Sequence, residues 1–496
     1  MKLKRVSLMT LAAFSAVAVA QINPAHDEFY WISQINKASI VINSDEGLLD
    51  KKDAVKIANG LRKVIDAGNN GGPRPKKALT FEPHLIKASG PEASLIHAGR
   101  SSQDMHATHR SLIMMEDVLA MSDALNQMTQ SLWKLANTHK ATLVPNYTNG
   151  VPAQPNTYGH QLLGHIAGFL RDADRIQDFM VRLDRSSMGT TVLNGTSWPL
   201  NRERMAKYLG FSKIVENAYD ASQISSMENP VELAGVVTAL NLHIGHFVED
   251  TLTQYAQTRP WILLQEGGGN TYASTAMPQK RNPGLLNDTR QAASTAIGYA
   301  EGNILRAHNI TPGMSDPKDI ADNTLVVKET INAINKLNRV INALVINPDR
   351  ALEELNNDWT SSQEVADRLM REYKLPFRVG HHVASQMVTY AKKNNLRPLD
   401  FPYEQMKVIY AEVVKKEYPK GSTVLPMSEE EFKATIDPRS IVNNRKTLGG
   451  PQPAEMEKML ESAQTRLADN AKWSQAQKDR LAKAAQMLEA DFNKIK

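Results

Sequence analysis

Two hydroxyls, two amides, an ammonium group and a guanidinium crowd into one short stretch, Ala273-Ser274-Thr275-Ala276-Met277-Pro278-Gln279-Lys280-Arg281-Asn282-Pro283. A glycine run, Gly267-Gly268-Gly269, feeds this loop, and Pro283 opens the helical pattern that follows it. Proline suits the start of a helix because the N–H it lacks has no partner there. The polar side chains are thus gathered beside a helix N-terminus, where free main-chain N–H groups favour a bound carboxylate. The same spacing also suits a solvated interhelical loop, and spacing alone leaves both readings open.

Long helices must position that loop. Segments 156–185, 231–255, 283–306 and 323–344 carry apolar residues at three- and four-residue spacing, the mark of helices with a buried face. Gly and Pro clusters punctuate their ends, which predicts helices packed side by side in an extended bundle. No strand pattern of similar strength occurs, and no fixed-period repeat is present. The sequence Asn69-Asn70-Gly71-Gly72-Pro73 breaks the first part of the chain. The texture changes near Asn347-Pro348 to shorter amphipathic helices, and the charged, Ala-rich tail from Pro453 reads as a solvated terminal helix pair. The expectation is a mainly α chain in three segments, 21–125, 126–345 and 346–496.

At 496 residues the chain can bury a large core without covalent help. It has no cysteine, so disulfides, thiolate metal sites and cysteine nucleophiles are excluded. The basic head Met1-Lys2-Leu3-Lys4-Arg5, the apolar run 6–19 and the small-x-small site Ala18-Val19-Ala20 before Gln21 read as a secretory signal peptide, residues 1–20. The alternative is an uncleaved anchor, but the run falls short of the ~20 residues a span needs, and no later stretch is apolar enough to replace it. Removing the leader takes away Lys2, Lys4 and Arg5 from a formal net charge of +5. A near-neutral, well-mixed mature chain in the periplasm is expected, without the basic footprint of nucleic-acid binding and off the membrane once the leader is gone.

The loop around Ser274 resembles the fumarase/aspartase superfamily signature Gly-Ser-Ser-x-Met-Pro-x-Lys-x-Asn-Pro, with Ala273 and Thr275 as departures. Three other blocks are similar to the argininosuccinate lyase branch, in the same order. His97-Ala98-Gly99-Arg100-Ser101-Ser102-Gln103-Asp104 is similar to His-Thr-Gly-Arg-Ser-Arg-Asn-Asp. Pro145-Asn146-Tyr147-Thr148-Asn149 with Ala153-Gln154-Pro155 is similar to Pro-Gly-Tyr-Thr-His and Ala-Gln-Pro. Leu375-Pro376-Phe377-Arg378-Val379-Gly380-His381-His382 is similar to Val-Pro-Phe-Arg-x-x-His-His. The resemblance spans roughly residues 90 to 395.

That resemblance implies a three-domain, mainly helical fold with a long central bundle and a homotetramer whose active sites each take blocks from three subunits. It implies a cofactor-independent lyase with no metal. Such an enzyme performs β-elimination at a carbon next to a carboxylate and releases an amine and an unsaturated carboxylate such as fumarate. Carried over position by position, Ser274 is the base, and Lys280 and Asn282 hold the substrate carboxylate. Ser101, Ser102, Gln103, Thr148, Asn149, Gln154 and Thr275 are the remaining substrate-binding positions, with Lys318 matched more loosely.

Departures from the pattern bear on the substrate. Where the family places an active-site histidine the chain has Asn149, and where it places the partner glutamate the chain has Asn287. Amides hydrogen-bond but do not change protonation state near neutral pH. A leaving group that already carries its positive charge needs no enzymatic acid. Ser102 and Gln103 replace arginine and asparagine, which argues against argininosuccinate itself. The substrate expected is therefore a small carboxylate-bearing amine. Alternatives are a betaine lyase releasing trimethylamine, as ergothionase does, and a non-catalytic binding or structural relative.

Other polar residues are read as structural. His243, His246 and Asp250 share a helix face beside Glu249, for which ion pairing and packing are expected in preference to a metal. His106 and His109 flank the Ser101 block in supporting roles, with His106 able to approach a carboxylate. His381-His382 is expected to pack the junction of the last two domains, and Met114, Met115, Met121 and Met128 to fill the core.

Overall fold

A computed structural model describes residues 26–496; the expected leader, 1–20, lies outside the described residues. The chain runs through α1 (Glu28–Asp45), α2 (Lys51–Asn69), α3 (Ala78–Ser89), α4 (Ser102–Thr138), α5 (Tyr158–Leu183), α6 (Arg202–Leu209), α7 (Ser225–Tyr255), α8 (Gly284–Ala307) and α9 (Ile320–Ala343). Shorter helices follow: α10 (Pro348–Asn357), α11 (Ser362–Tyr373), α12 (Phe377–Lys393), α13 (Tyr403–Glu417), α14 (Glu429–Ile436) and α15 (Pro438–Asn443). The last, α16, spans Pro453–Phe492.

The predicted helical segments 156–185, 231–255, 283–306 and 323–344 correspond to α5, α7, α8 and α9. They pack in sequence as a bundle, α5 and α9 against α4, α9 against α8, and α8 against α7. In α9 the buried positions Val326, Val327, Ile331, Ile334, Leu337, Val340 and Ile341 recur every three or four residues, one continuous apolar stripe. The helical stretch Asp220–Tyr255 is long and apolar enough to cross a membrane by length and composition alone, contrary to the expectation that no stretch beyond the leader would be. Half of its most apolar window is buried, against α5, α8 and α9. That buried half is spent on the bundle.

Three features depart from the sequence reading. First, a hairpin of β1 (Leu143–Thr148) and β2 (Val151–Thr157) lies between α4 and α5. Pro145, Pro152 and Pro155 mask its strand pattern. The Asn149-Gly150 turn that closes it has positive φ at both residues, 53° and 75°, as a tight hairpin turn requires. Second, the tail is one 40-residue helix, α16. It is not a solvated pair: Met456, Leu460, Leu467, Leu488 and Phe492 are buried where it lies along α1, α4, α5 and α6. Third, the segment boundary drawn between 125 and 126 falls inside α4, and α1–α3 share one hydrophobic core with the bundle and α16. A second core, from Trp359 to Ile436, belongs to α11–α14.

Candidate active site

The block before α4 is built around one buried carboxylate. Ser101 and Asp104 form a capping box at the start of α4. Asp104, 0 % exposed, accepts from the main-chain N–H groups of Ser101 at 2.7 Å and Met105 at 3.0 Å through Oδ1. Its Oδ2 accepts from Gly189 at 3.1 Å, Thr190 at 3.0 Å and Thr191 at 3.1 Å. Burial pushes the Asp104 carboxyl up, while these donors and the Arg100 guanidinium oppose the shift. The 189–192 loop so tethered holds Thr191 and Val192 at φ 48° and 70°, a region side chains with branched Cβ atoms rarely enter. The Ser101-Ser102 turn is thereby fixed against the loop.

A cavity of about 400 Å³ opens beside that turn, lined in part by Asn36, Arg100, Ser101, Ser102 and Thr191. Gln103 is half-buried just inside α4. On the tip of the β1–β2 hairpin, Thr148 and Asn149 are exposed. Gln154 on β2 donates to Gln363 Oε1 of α11 at 2.7 Å, which ties the hairpin to the second core.

Lys318 sits in the short turn before α9, 2 % exposed, with its Nζ donating to Ser222 O at 3.3 Å. Burial first, and then the neighbouring Arg110 charge, pull its ammonium down to about 8. Burial also pulls the His106 ring down to about 4 and His109 well below its usual value. His106 Nε2 accepts from Ala78 N at 3.3 Å, so it braces α3 on α4 as a neutral ring.

The loop expected to carry the chemistry is the open part of the site. Gly267, Gly268 and Gly269 all have positive φ, a path only glycine follows cheaply. Tyr272 and Ala273 pair antiparallel with Asn282 and Arg281, and Asn282 Nδ2 donates to Tyr272 O at 3.2 Å. Ser274, half-buried, is held at the neck of this small hairpin; its Oγ accepts from the N–H groups of Ala276 at 3.3 Å and Met277 at 3.1 Å. Thr275 and Lys280 are exposed. Pro283 caps α8, so the helix begins at Gly284, one residue after the start read from the sequence. Gly284 faces the Tyr272 ring, where a Cβ would stand 2.8 Å from Cδ1, so the hairpin lies flat on the first turn of α8.

Among the described residues, no hydrogen bond or ion pair joins the Ser274 loop to the Ser101 block, the hairpin tip or Lys318. The structure brings Ser274, Thr275, Lys280 and Asn282 together on one loop and Ser101, Ser102 and Gln103 together on one turn. It does not join the two groups within one chain. Asp104 and Thr191 were missed as organisers of the site. The capping signal Ser101-x-x-Asp104 was readable, but its distant partner loop was not.

The residues set aside as structural behave so in the bundle. His243 Nδ1 pairs with Asp172 Oδ2 at 2.6 Å and His165 Nε2 with Asp250 Oδ2 at 2.8 Å, which ties α5 to α7. The exception is His381-His382. His381 is exposed and His382 pairs with Glu417 of α13, so both lie within the last segment and pack no junction.

A long helical bundle thus presents a polar loop at the N-terminus of α8. The family described as Lyase matches residues 79–298, and that described as Argininosuccinate lyase C-terminal matches 359–443. The chain is 28 % identical to argininosuccinate lyase of Methanosarcina barkeri over 473 residues, 93 % of this chain and 92 % of that one. It is 28 % identical over 441 residues to the argininosuccinate lyase of Methanocaldococcus jannaschii, 87 % of each chain. Its fold is similar to EDDS lyase in complex with formate, with TM-score 0.84, 22 % identity and coverage of 94 % of this chain and 92 % of that one. Class II fumarase of Schistosoma mansoni superposes with TM-score 0.63 at 14 % identity, over 84 % of this chain and 90 % of that one. The chain is an argininosuccinate lyase-like member of the fumarase/aspartase superfamily and a carbon–nitrogen lyase.

Proposed function

We propose that the protein cleaves the C–N bond of a substituted amino dicarboxylate by β-elimination, releasing an amine and an unsaturated carboxylate such as fumarate. The observation that carries this reading is the Ser274 loop. Ser274 Oγ already accepts two main-chain N–H groups, and Lys280 and Asn282 ride on the same hairpin at the N-terminus of α8. Such donors favour an alkoxide and therefore a serine base. Lys280 and Asn282 then receive the carboxylate whose neighbouring carbon loses the proton. Relatives named argininosuccinate lyase and a fold neighbour named EDDS lyase support an amine leaving group.

The site is completed in a homotetramer, with the Ser274 loop of one chain meeting the Ser101 turn and the Thr148 tip of others. The exposure of Thr275 and Lys280 in the single chain supports this. The enzyme works after export, as its first 20 residues suggest; intact-mass analysis should then find a mature N-terminus at or very near Gln21. The reaction is tested by screening the purified protein on amino-polycarboxylates, succinyl amines and betaines for new conjugated-carboxylate absorbance. Absorbance from the succinyl amines supports the reading. Turnover of betaines alone, or of nothing, sinks it.

A further inference from the structure

The cavity beside the Ser101 turn holds polar groups that the described chain leaves unanswered. Arg100 is 8 % exposed. Its guanidinium has five N–H donors, yet its one hydrogen bond is from Nη1 to Ser39 Oγ at 3.3 Å. Its Nε is buried without a partner. The nearby carboxylate of Asp104 is already committed to five main-chain N–H groups. Asn36, 2 % exposed, leaves its Oδ1 unpartnered on the same cavity wall. A buried cation this poorly satisfied is costly unless something binds it. Glu82 and His97 also line the cavity, neither of them hydrogen-bonded to Arg100 among the described residues, and most of the remaining wall is apolar: Ile32, Leu79, Phe81, Leu85, Ile96 and Met105. Leu79 is 72 % exposed, a large apolar side chain left at the mouth. At about 400 Å³ the space falls within the range of small-molecule pockets.

We infer that this cavity takes the amine half of the substrate, and that this half is an amino acid with a large apolar side chain. The inference rests on the reading of the Ser101 turn as part of a carbon–nitrogen lyase site. The amino acid's carboxylate meets the free Arg100 donors, its amine nitrogen lies near Ser102 and Asn36, and its side chain covers the apolar wall. The substrate is then an N-(1,2-dicarboxyethyl) amino acid. Its nitrogen is a secondary amine, already protonated at neutral pH. Ser274 takes the proton from the carbon next to the distal carboxylate, the C–H electron pair becomes the new C=C bond, and the C–N pair stays on nitrogen. The products are fumarate and the neutral primary amine, and the nitrogen needs no proton from the enzyme. That accounts for amides at Asn149 and Asn287, where the family resemblance leads one to expect an ionisable pair.

The test compares N-(1,2-dicarboxyethyl) conjugates of phenylalanine, phenethylamine and glycine on the full-length enzyme. These conjugates respectively carry both features, only the apolar group, and only the carboxylate. The phenylalanine conjugate should exceed each of the others by at least about tenfold in kcat/KM, since a charge-assisted hydrogen bond and a buried aromatic ring each contribute that much or more. Leu79→Asp, at an exposed position, should cut kcat/KM for the phenylalanine conjugate about tenfold more than for the glycine conjugate, which has no side chain to lay on that wall. Equal turnover of all three conjugates would overturn the cavity assignment while the lyase reading stands. If no conjugate turns over, the lyase reading fails. Calorimetry with the intact phenylalanine conjugate then decides the cavity: binding that Leu79→Asp weakens supports it, and no binding or unaltered binding overturns it.

Discussion

The Ser101 turn and the Ser274 loop, which we propose serve one reaction, are built in opposite ways. The first is locked by a buried carboxylate with five main-chain donors. The second is an exposed hairpin whose side chains find their partners almost wholly within the hairpin. The contrast teaches that one half of the site is finished by the folding of a single chain. The other half is presented outward, where the proposed assembly would complete it. Mutations in the two halves should then fail in different ways, which gives the comparison its handles.

The largest effect is expected at Ser274. Ser274→Ala should lower kcat by ~10²–10⁴, the usual worth of a positioned general base, while the thermal midpoint stays put because the loop is exposed. A variant that keeps near-normal turnover removes serine from the base role. Asp104→Ala should do the reverse in kind. It strands five N–H donors in a dry site and should cost about 3–5 kcal/mol of stability, read from urea unfolding. Asp104→Ala unfolding at the wild-type midpoint would mean the turn is not locked as described.

Mixing sharpens the comparison further. Subunits carrying Ser274→Ala, dissociated and reassembled with subunits carrying Ser102→Ala, should regain part of the activity that each parent has lost. Proven mixed tetramers without recovery would argue against a site shared between chains. The smallest effect concerns pH. Lys318 is a cation below about 8 and neutral above it, so kcat/KM should fall through pH 8 if its charge holds the substrate. Lys318→Arg should carry that fall to higher pH. Folding responds with the opposite sign: between about 8 and the ordinary 10.5 the unfolded chain binds the proton that the fold rejects. Lys318 therefore opposes folding below pH 8, and its penalty fades as pH rises to 10.5. A flat kcat/KM profile across pH 7–9 would remove Lys318 from substrate binding.

The bundle was legible because α5, α7, α8 and α9 each bury one stripe, and a 3.6-residue period survives in the sequence. The Ser274 loop was legible because glycine, hydroxyl, lysine and proline are adjacent in the chain. What stayed hidden depends on distance. The β1–β2 hairpin hides behind prolines that a two-stranded ribbon tolerates. Asp104 reads as a helix cap until the 189–191 loop arrives from far along the chain. The charged face of α16 resembles a solvated helix, and nothing local reveals that Leu460, Leu467 and Phe492 are wanted by α1, α4 and α5.

That last helix also sets the timing of folding. Lys37 Nζ donates to Glu489 Oε2 at 2.5 Å across 452 residues, and Arg62 Nη2 to Phe492 O at 3.0 Å across 430. The first helix waits for the last before its core can close. At about 5–20 residues per second the ribosome needs roughly half a minute to a minute and a half to deliver it. Through that interval the nascent chain remains open, apolar surface uncovered and within reach of chaperones. Its folding rate is governed by a closure that spans nearly its whole length.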